Sequence, residues 1–191
     1  MVGNISNFSR YDVIRALFYL DVQRSRSELS HELELGEGTI RSILDILKKN
    51  KLLQSSQKGH LLSQKGRSMV LLMRKDIEIP KTIHMDIFPK YKEKGCIVKT
   101  IKHFMPDYKV RDIAVRHGAE GALILTFDQR LSITYYLNAN FSSLEKEFAL
   151  KKGDALIVTF ADTLRNAENA CLATALTLSG LDNMLAAAIK T

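Results

Sequence analysis

Cysteine is nearly absent: 191 residues hold two, Cys96 and Cys171, without metal-ligand spacing. That excludes a disulfide scaffold or a thiolate metal site and fits a reducing cytosol. Proline is scarce too; there are three, and Pro80 and Pro89 fall in a single stretch. No apolar run approaches the roughly 20 residues that span a bilayer, and the amino terminus has no signal-peptide core. A soluble, cytoplasmic protein with no membrane partner is expected. The Gly-rich phosphate loops of dinucleotide and Walker sites are missing, and His31, His60, His84, His103 and His117 are scattered. Cys171 lies among alanines and leucines, where a thiol is core rather than nucleophile. His84 and Asp86 are close enough to suggest a metal pair, but with no third ligand nearby they read as linker residues. No enzyme, cofactor or metal is therefore expected.

The hydrophobic content of 46% is ordinary for a globular chain with a proper core. What stands out is the placement of charge. Between residues 38 and 75 lie nine cations, Arg41, Lys48, Lys49, Lys51, Lys58, Lys65, Arg67, Arg74 and Lys75, opposed only by Asp45. The whole chain carries only +7, so the rest nearly cancels. A phosphate backbone suits such a field, because each neutralised phosphate releases condensed counterions.

The same region has a clear local pattern. Ile40, Ile43, Leu44 and Leu47 recur at i, i+3, i+4 and i+7, which predicts a helix over 37–50 with one buried stripe. At about 100° per residue, Gly38, Ser42 and Lys49 point away from that stripe, with Arg41 and Lys48 on a flank. A shorter helix precedes it, opened by Ser25-x-x-Glu28 in the form of a capping box. Leu29 and Leu33 form its seam, and Gly36 is expected to take the left-handed conformation that ends it. A first helix over about 9–20, with Ile14, Leu17 and Phe18 inward, supports both. After the basic helix, residues 51–63 read as a hairpin tipped by Gln57-Lys58-Gly59, with Gly59 supplying a positive φ. A further helix over about 64–75 has a nearly continuous apolar run at 69–73, so it needs cover on more than one side, as a domain or dimer contact.

The run SRSELSHELELGEGTIRSILDILKKNKLLQSSQKGHLLSQKG resembles a winged helix-turn-helix domain, in particular those of archaeal transcriptional regulators. The Leu-Gly-Glu-Gly-Thr-Ile-Arg start of the third helix, the Lys-Gly-His tip and Leu62, Ser63 and Gly66 carry the resemblance, over roughly residues 9–76. The whole chain also resembles an archaeal family that joins such a domain to an uncharacterised carboxy-terminal α/β domain, through Arg111-Asp112-x-Ala114 and Gly118-Ala119-x-Gly121-Ala122. The resemblance implies that the third helix enters the major groove and the hairpin touches the adjacent backbone. By position it makes Thr39, Arg41, Ser42, Lys48 and Lys49 candidates for groove and phosphate contacts, and Lys58 and His60 for the wing. Asp45 on the same side either accepts from a cytosine amino group or pairs with Lys48 or Lys49.

The domains expected are a winged helix-turn-helix domain over 1–78, a linker over 79–94 and an α/β domain over 95–191. In the last, strands at 96–101, 122–127, 131–136 and 155–160 and helices at 109–117 and 143–150 give the order β-α-β-β-α-β. That predicts an α+β, ferredoxin-like antiparallel sheet with helices on one face. Ala-rich helices over 164–189 follow, broken at Gly180, with Ala170, Ala173 and Ala175 allowing close packing on a sheet or a symmetry mate. Arg111, Asp112 and His117 are the candidate effector-binding groups, beside an αβ turn at 118–121. The reading favoured is a homodimeric transcriptional regulator that binds double-stranded DNA, its second domain serving assembly and small-molecule sensing. The alternatives are an enzyme with an appended winged helix and a protein-interaction adaptor.

Overall fold

The computed structural model describes residues 7–85, 88–99, 101, 107–133 and 140–189. Two compact units emerge, Met1–Leu72 with Leu185–Thr191, and Met73–Met184.

In the first unit, α1 (Arg10–Tyr19) and α2 (Arg26–Leu33) each open on a reciprocal capping box, Ser9 with Asp12 and Ser25 with Glu28. Each box satisfies two amide donors that a helix start would otherwise orphan. The basic helix α3 spans Glu37–Lys49. Val13, Ile14, Leu17 and Leu20 from the first helix meet Leu29 and Leu33 and then Ile40, Ile43 and Leu47, all fully buried. Each such side chain contributes about 1.5–3 kcal/mol relative to exposure. A buried ion pair sits in the same unit: Arg15 Nη1 donates to Asp12 Oδ1 at 3.1 Å and to the Leu33 carbonyl at 3.2 Å, tying α1 to the end of α2.

One expectation at the α2–α3 turn is corrected. Glu34, at φ 54°, takes the left-handed conformation, while Gly36 is extended and caps α3. The connection is short and Leu35 must be buried, so the reversal happens one step before Leu35 and aims it inward. Strands β1 (Leu53–Ser56) and β2 (Gly59–Leu62) then form the hairpin, paired from Leu53↔Leu62 to Ser56↔Gly59. Gly59 has φ 127°, and a Cβ there would sit 2.6 Å from the Arg24 carbonyl. Arg24, in the α1–α2 connection, exchanges backbone bonds of 2.9 and 2.7 Å with His60, so the hairpin is fastened at its tip side as well as its base.

Helix α4 (Gln64–Asp76) leads into the second unit. There, β3 (Lys81–Ile83), β4 (Lys92–Val98), α5 (Asp107–Arg116), β5 (Gly121–Phe127), β6 (Leu131–Ser132), α6 (Ser142–Glu147), β7 (Ala155–Ala161) and α7 (Leu164–Leu178) follow, and α8 (Asp182–Ala188) closes the chain. The five strands are ordered β3-β4-β7-β5-β6, every neighbour antiparallel. The stretch expected to be linker thus contains β3, an edge strand of the sheet. Residues 134–136 of the expected third strand, and Asp86 of the suggested metal pair, lie outside the described residues.

The order β-α-β-β-α-β is present from β4 to β7, but the strand order differs from the ferredoxin-like one. There the third strand of the motif would lie against the first; here β7, the last, lies between β4 and β5. The helices also do not share one face. Leu156 and Val158 of β7, with Ile97 and Leu125, pack under Leu144 and Phe148 from α6 and its end. On the opposite face Thr159 Oγ1 donates to the Ala167 carbonyl of α7 at 2.7 Å, and Ala114, Ala119, Ala122 and Ala170 pack together. Strand β7 is hydrophobic along nearly its whole length because it is covered on both sides. The small side chains Ala170, Ala173 and Ala175 are fully buried in this unit. Among the described residues no single helix is long and apolar enough to cross a membrane.

Candidate nucleic-acid interface

The four branched residues of α3 are all buried, Leu44 the least so at 6% exposure. Since side chains of a helix radiate in fixed directions, that burial forces the opposite face outward. Arg41, Ser42, Asp45, Lys48 and Lys49 are exposed, with Thr39 half-buried beside them. Ser42 Oγ donates to the Gly38 carbonyl at 3.3 Å, which leaves its lone pairs facing out. Among the described residues, Arg41, Lys48, Lys49 and Lys58 form no ion pair, and Asp45 pairs with neither Lys48 nor Lys49. Gly38 is open: a Cβ built there meets nothing within 4 Å.

Other cations gather near the two ends of this helix. Lys65 Nζ donates to the carbonyl of Asn50, the residue that caps α3, at 3.1 Å. Ser63 Oγ reaches the Lys51 carbonyl at 2.7 Å, which brings the start of α4 beside the same turn. Lys58 is exposed at the hairpin tip, where its backbone amide donates to Ser56 Oγ at 3.2 Å. His60 is half-buried, its Nδ1 2.9 Å from Ser55 Oγ across the hairpin. Burial first, then the nearby charges of Arg26 and Lys48, hold its imidazole below the ordinary histidine range. Arg26, Lys48 and His60 therefore share one neighbourhood.

The sequence reading overlooked Arg24 and Arg26. They flank the capping serine, outside the basic tally. Arg26 Nε lies 3.1 Å from Glu37 Oε2 and so neutralises the one carboxylate in the first turn of α3. Arg24 Nη1 meets Glu32 Oε1 at 3.1 Å. The pair Arg-Ser-Arg before a helix next to a basic hairpin was the available signal. In the other direction, Lys75 and Arg74 belong to the second unit, so the basic cluster of the first unit ends at Arg67.

The candidate effector groups are not brought together. Arg111 and Asp112 are 60% and 59% exposed on α5, with 3.9 Å between Arg111 Nη2 and Asp112 Oδ1. His117 follows the end of that helix, half-buried. Six residues along a helix leaves Arg111 and His117 about 120° apart in direction. A cavity of the second unit lies elsewhere, against Arg74 and Lys99.

With this geometry in hand, the relatives can be placed. Residues 11–68 match the family model described as the PH0730-like N-terminal domain, and residues 91–178 match a domain of unknown function, DUF4443. The solved structure "Hypothetical protein PH0730 from Pyrococcus horikoshii OT3" is similar over 96% of this chain and 100% of its own, with a TM-score of 0.80 and 25% identity. The two chains share a fold. A second solved structure, S. agalactiae BusR in complex with its busAB-promotor DNA, aligns over 92% of this chain and 98% of its own, with a TM-score of 0.26 and 12% identity, too distant to bear on fold or function. No curated protein matches.

Proposed function

We propose that the protein is a DNA-binding transcriptional regulator whose first unit is a winged helix-turn-helix, with α3 entering the major groove and the β1–β2 hairpin as the wing. One observation carries this reading: the face of α3 opposite the buried stripe is exposed, small and basic, and its cations have no ion partners among the described residues. Thr39, Arg41, Ser42, Lys48 and Lys49 are its groove and phosphate contacts, and Lys58 and His60 those of the wing. The three helices followed by a hairpin, with the α1–α2 connection bridged to β2, support the winged-helix assignment. The chain carries out no catalysis in this reading, and its second unit serves assembly and sensing.

A homodimer fits a regulator that reads two half-sites, and α4 supplies a surface for it. Val70 and Met73 of its apolar run are buried, but Leu71 and Leu72 are 61% and 39% exposed, so one side of the run is left uncovered within the protomer. The Ala-rich α7 is already packed on its own sheet and leaves that role to α4.

Gel-shift titration over a salt series tests the DNA reading. If about five phosphates are neutralised, log affinity falls with a slope near −4.5 against log salt, so a fourfold rise in salt weakens binding roughly 500-fold. The double substitution Arg41→Ala with Lys58→Ala lowers affinity at least about tenfold and flattens the slope by about one or two. Binding indifferent to both salt and these substitutions excludes the proposal.

A further inference from the structure

The chain that leaves α4 does not run flush along β4. Ile77 is bridged to Val98, and Lys81 is paired with Gly95. Residues 78, 79 and 80 therefore lie opposite only 96 and 97, and the extra residue makes a bulge, with Pro80 in it. Proline brings no amide donor to the ladder and is tolerated where pairing is already interrupted. Backbone bonds hold the bulge at its Ile77–Val98 end, where the Glu78 amide donates to the Ile97 carbonyl at 2.9 Å and the Lys99 amide to the Asp76 carbonyl at 2.8 Å, and the β3–β4 ladder holds the other from Lys81↔Gly95.

Beside the bulge is a cavity of about 280 Å³, lined by Arg74, Ile77, Glu78, Ile79, Lys81 and Lys99. Three of the six residues are cations and one is a carboxylate, over the two isoleucines. Glu78 lies between the two lysines, with Lys81 Nζ 3.8 Å from one oxygen and Lys99 Nζ 3.9 Å from the other. These are long for charge-assisted bonds, which run about 2.7–2.9 Å. Each ammonium has three donors. Lys99 Nζ gives one donor to the Arg74 carbonyl at 3.0 Å; both lysines keep donors to spare, and the site keeps an excess of positive charge over an apolar floor.

We propose that this notch is a binding site for a small aliphatic monocarboxylate. The head group meets Lys81 and Lys99, with Arg74 beside them, and the hydrocarbon body covers the half-buried Ile79, while Ile77 is fully buried. A cavity just below the range of drug-sized sites takes no more than roughly a dozen non-hydrogen atoms. The neighbouring carboxylate of Glu78 disfavours a dianion such as phosphate, and the isoleucines add nothing to the binding of a bare anion. The site gives the sensing role a place and a ligand class, yet its test reads binding to the protein alone and so fails or succeeds separately from DNA recognition.

The test is an amide NMR titration of the full chain with 4-methylpentanoate, its neutral amide, acetate and inorganic phosphate. The carboxylate is expected to shift the amides of Ile77, Glu78, Ile79, Lys81 and Lys99 saturably, and the other three probes to bind at least about tenfold more weakly. Lys81→Met lowers the affinity by about tenfold while distant amides keep their positions, which shows that the fold persists. Absence of saturable shifts at these residues up to about 10 mM overturns the site. So does equal binding of the neutral amide, which removes the role of charge, or equal binding of acetate or phosphate, which removes the role of the isoleucines.

Discussion

On α3 and the wing, Arg41, Lys48, Lys49 and Lys58 are exposed with no ion partner among the described residues, whereas several lysines of the second unit sit against carboxylates. Lys94 Nζ lies 3.4 Å from Glu168, Lys152 Nζ 2.8 Å from Asp128, and Lys81 Nζ 3.8 Å from Glu78. Like charges gathered on one face repel one another and add little to folding; in the proposed reading their clustering on α3 serves to bind an anionic partner. Of these pairs only Lys94 with Glu168 is buried and belongs to the packing, while Lys152 and Lys81 are exposed. Substituting Lys94 should therefore change stability, and substituting a cation of α3 should change binding.

The largest effect expected follows from Lys94 and Glu168, which join β4 to α7 with side chains only 8% and 2% exposed. Lys94→Met takes the lysine away from the buried Glu168 carboxylate and should cost up to about 3–5 kcal/mol in urea unfolding. Adding Glu168→Leu removes the buried charge and should recover most of the loss, because a well-packed apolar pair is often as stable as a buried ion pair. By contrast, Lys49→Met on the exposed face of α3 should change stability by less than about 0.5 kcal/mol while weakening DNA binding. A Lys94→Met protein as stable as the parent would erase the distinction between the units.

The same contrast explains how much was legible in the sequence. Helix periodicity and capping are local signals, so the stripe of Ile40, Ile43, Leu44 and Leu47, the box at Ser25 and Glu28, and the turn at Gly59 could all be read within a few residues. The Arg24–His60 bridge and the burial of Asp12 with Arg15 could not, because each depends on a partner brought close only by folding. In the second unit nearly every decisive contact is of that kind. Alternation and turn signals gave the order of elements, but nothing in β7 itself says that it pairs with both β4 and β5. Nor does Lys81–Ile83, short and next to a proline, announce that it finds β4. The choice between Glu34 and Gly36 for the left-handed turn was misread for a related reason: glycine preference is a local rule, and the demand to bury Leu35 overrode it.

A smaller effect should separate stability from binding at a single residue. Gly38 sits in the first turn of α3 with open space where a Cβ would go, so Gly38→Ala meets no clash and restricts the unfolded chain. It should raise stability by up to about 1 kcal/mol. Nothing within the protein calls for glycine there, but a nucleic-acid backbone approaching closely would. The same substitution is then expected to weaken DNA binding several-fold. Gains in both would mean that the head of α3 stays clear of DNA.

The smallest effect is a dependence on pH through His60. Its imidazole is held below the usual value of 6.5, first by burial and then by Arg26 and Lys48. Folding therefore favours the neutral ring. The contribution to stability is complete above about pH 6.5 and declines as the pH falls from there toward the lower folded value, because the unfolded chain takes up the proton first. A phosphate beside the wing has the opposite preference: it offsets the charges of Arg26 and Lys48 and favours the imidazolium. DNA binding should then draw in a proton, and affinity should rise by a few-fold between pH 7.5 and 5.5 while the free protein loses some stability. His60→Gln should flatten both trends and leave affinity near neutral pH close to that of the parent. If the substituted protein keeps the same pH dependence of DNA affinity, the wing histidine lies outside the interface and the contacts there reduce to Lys58.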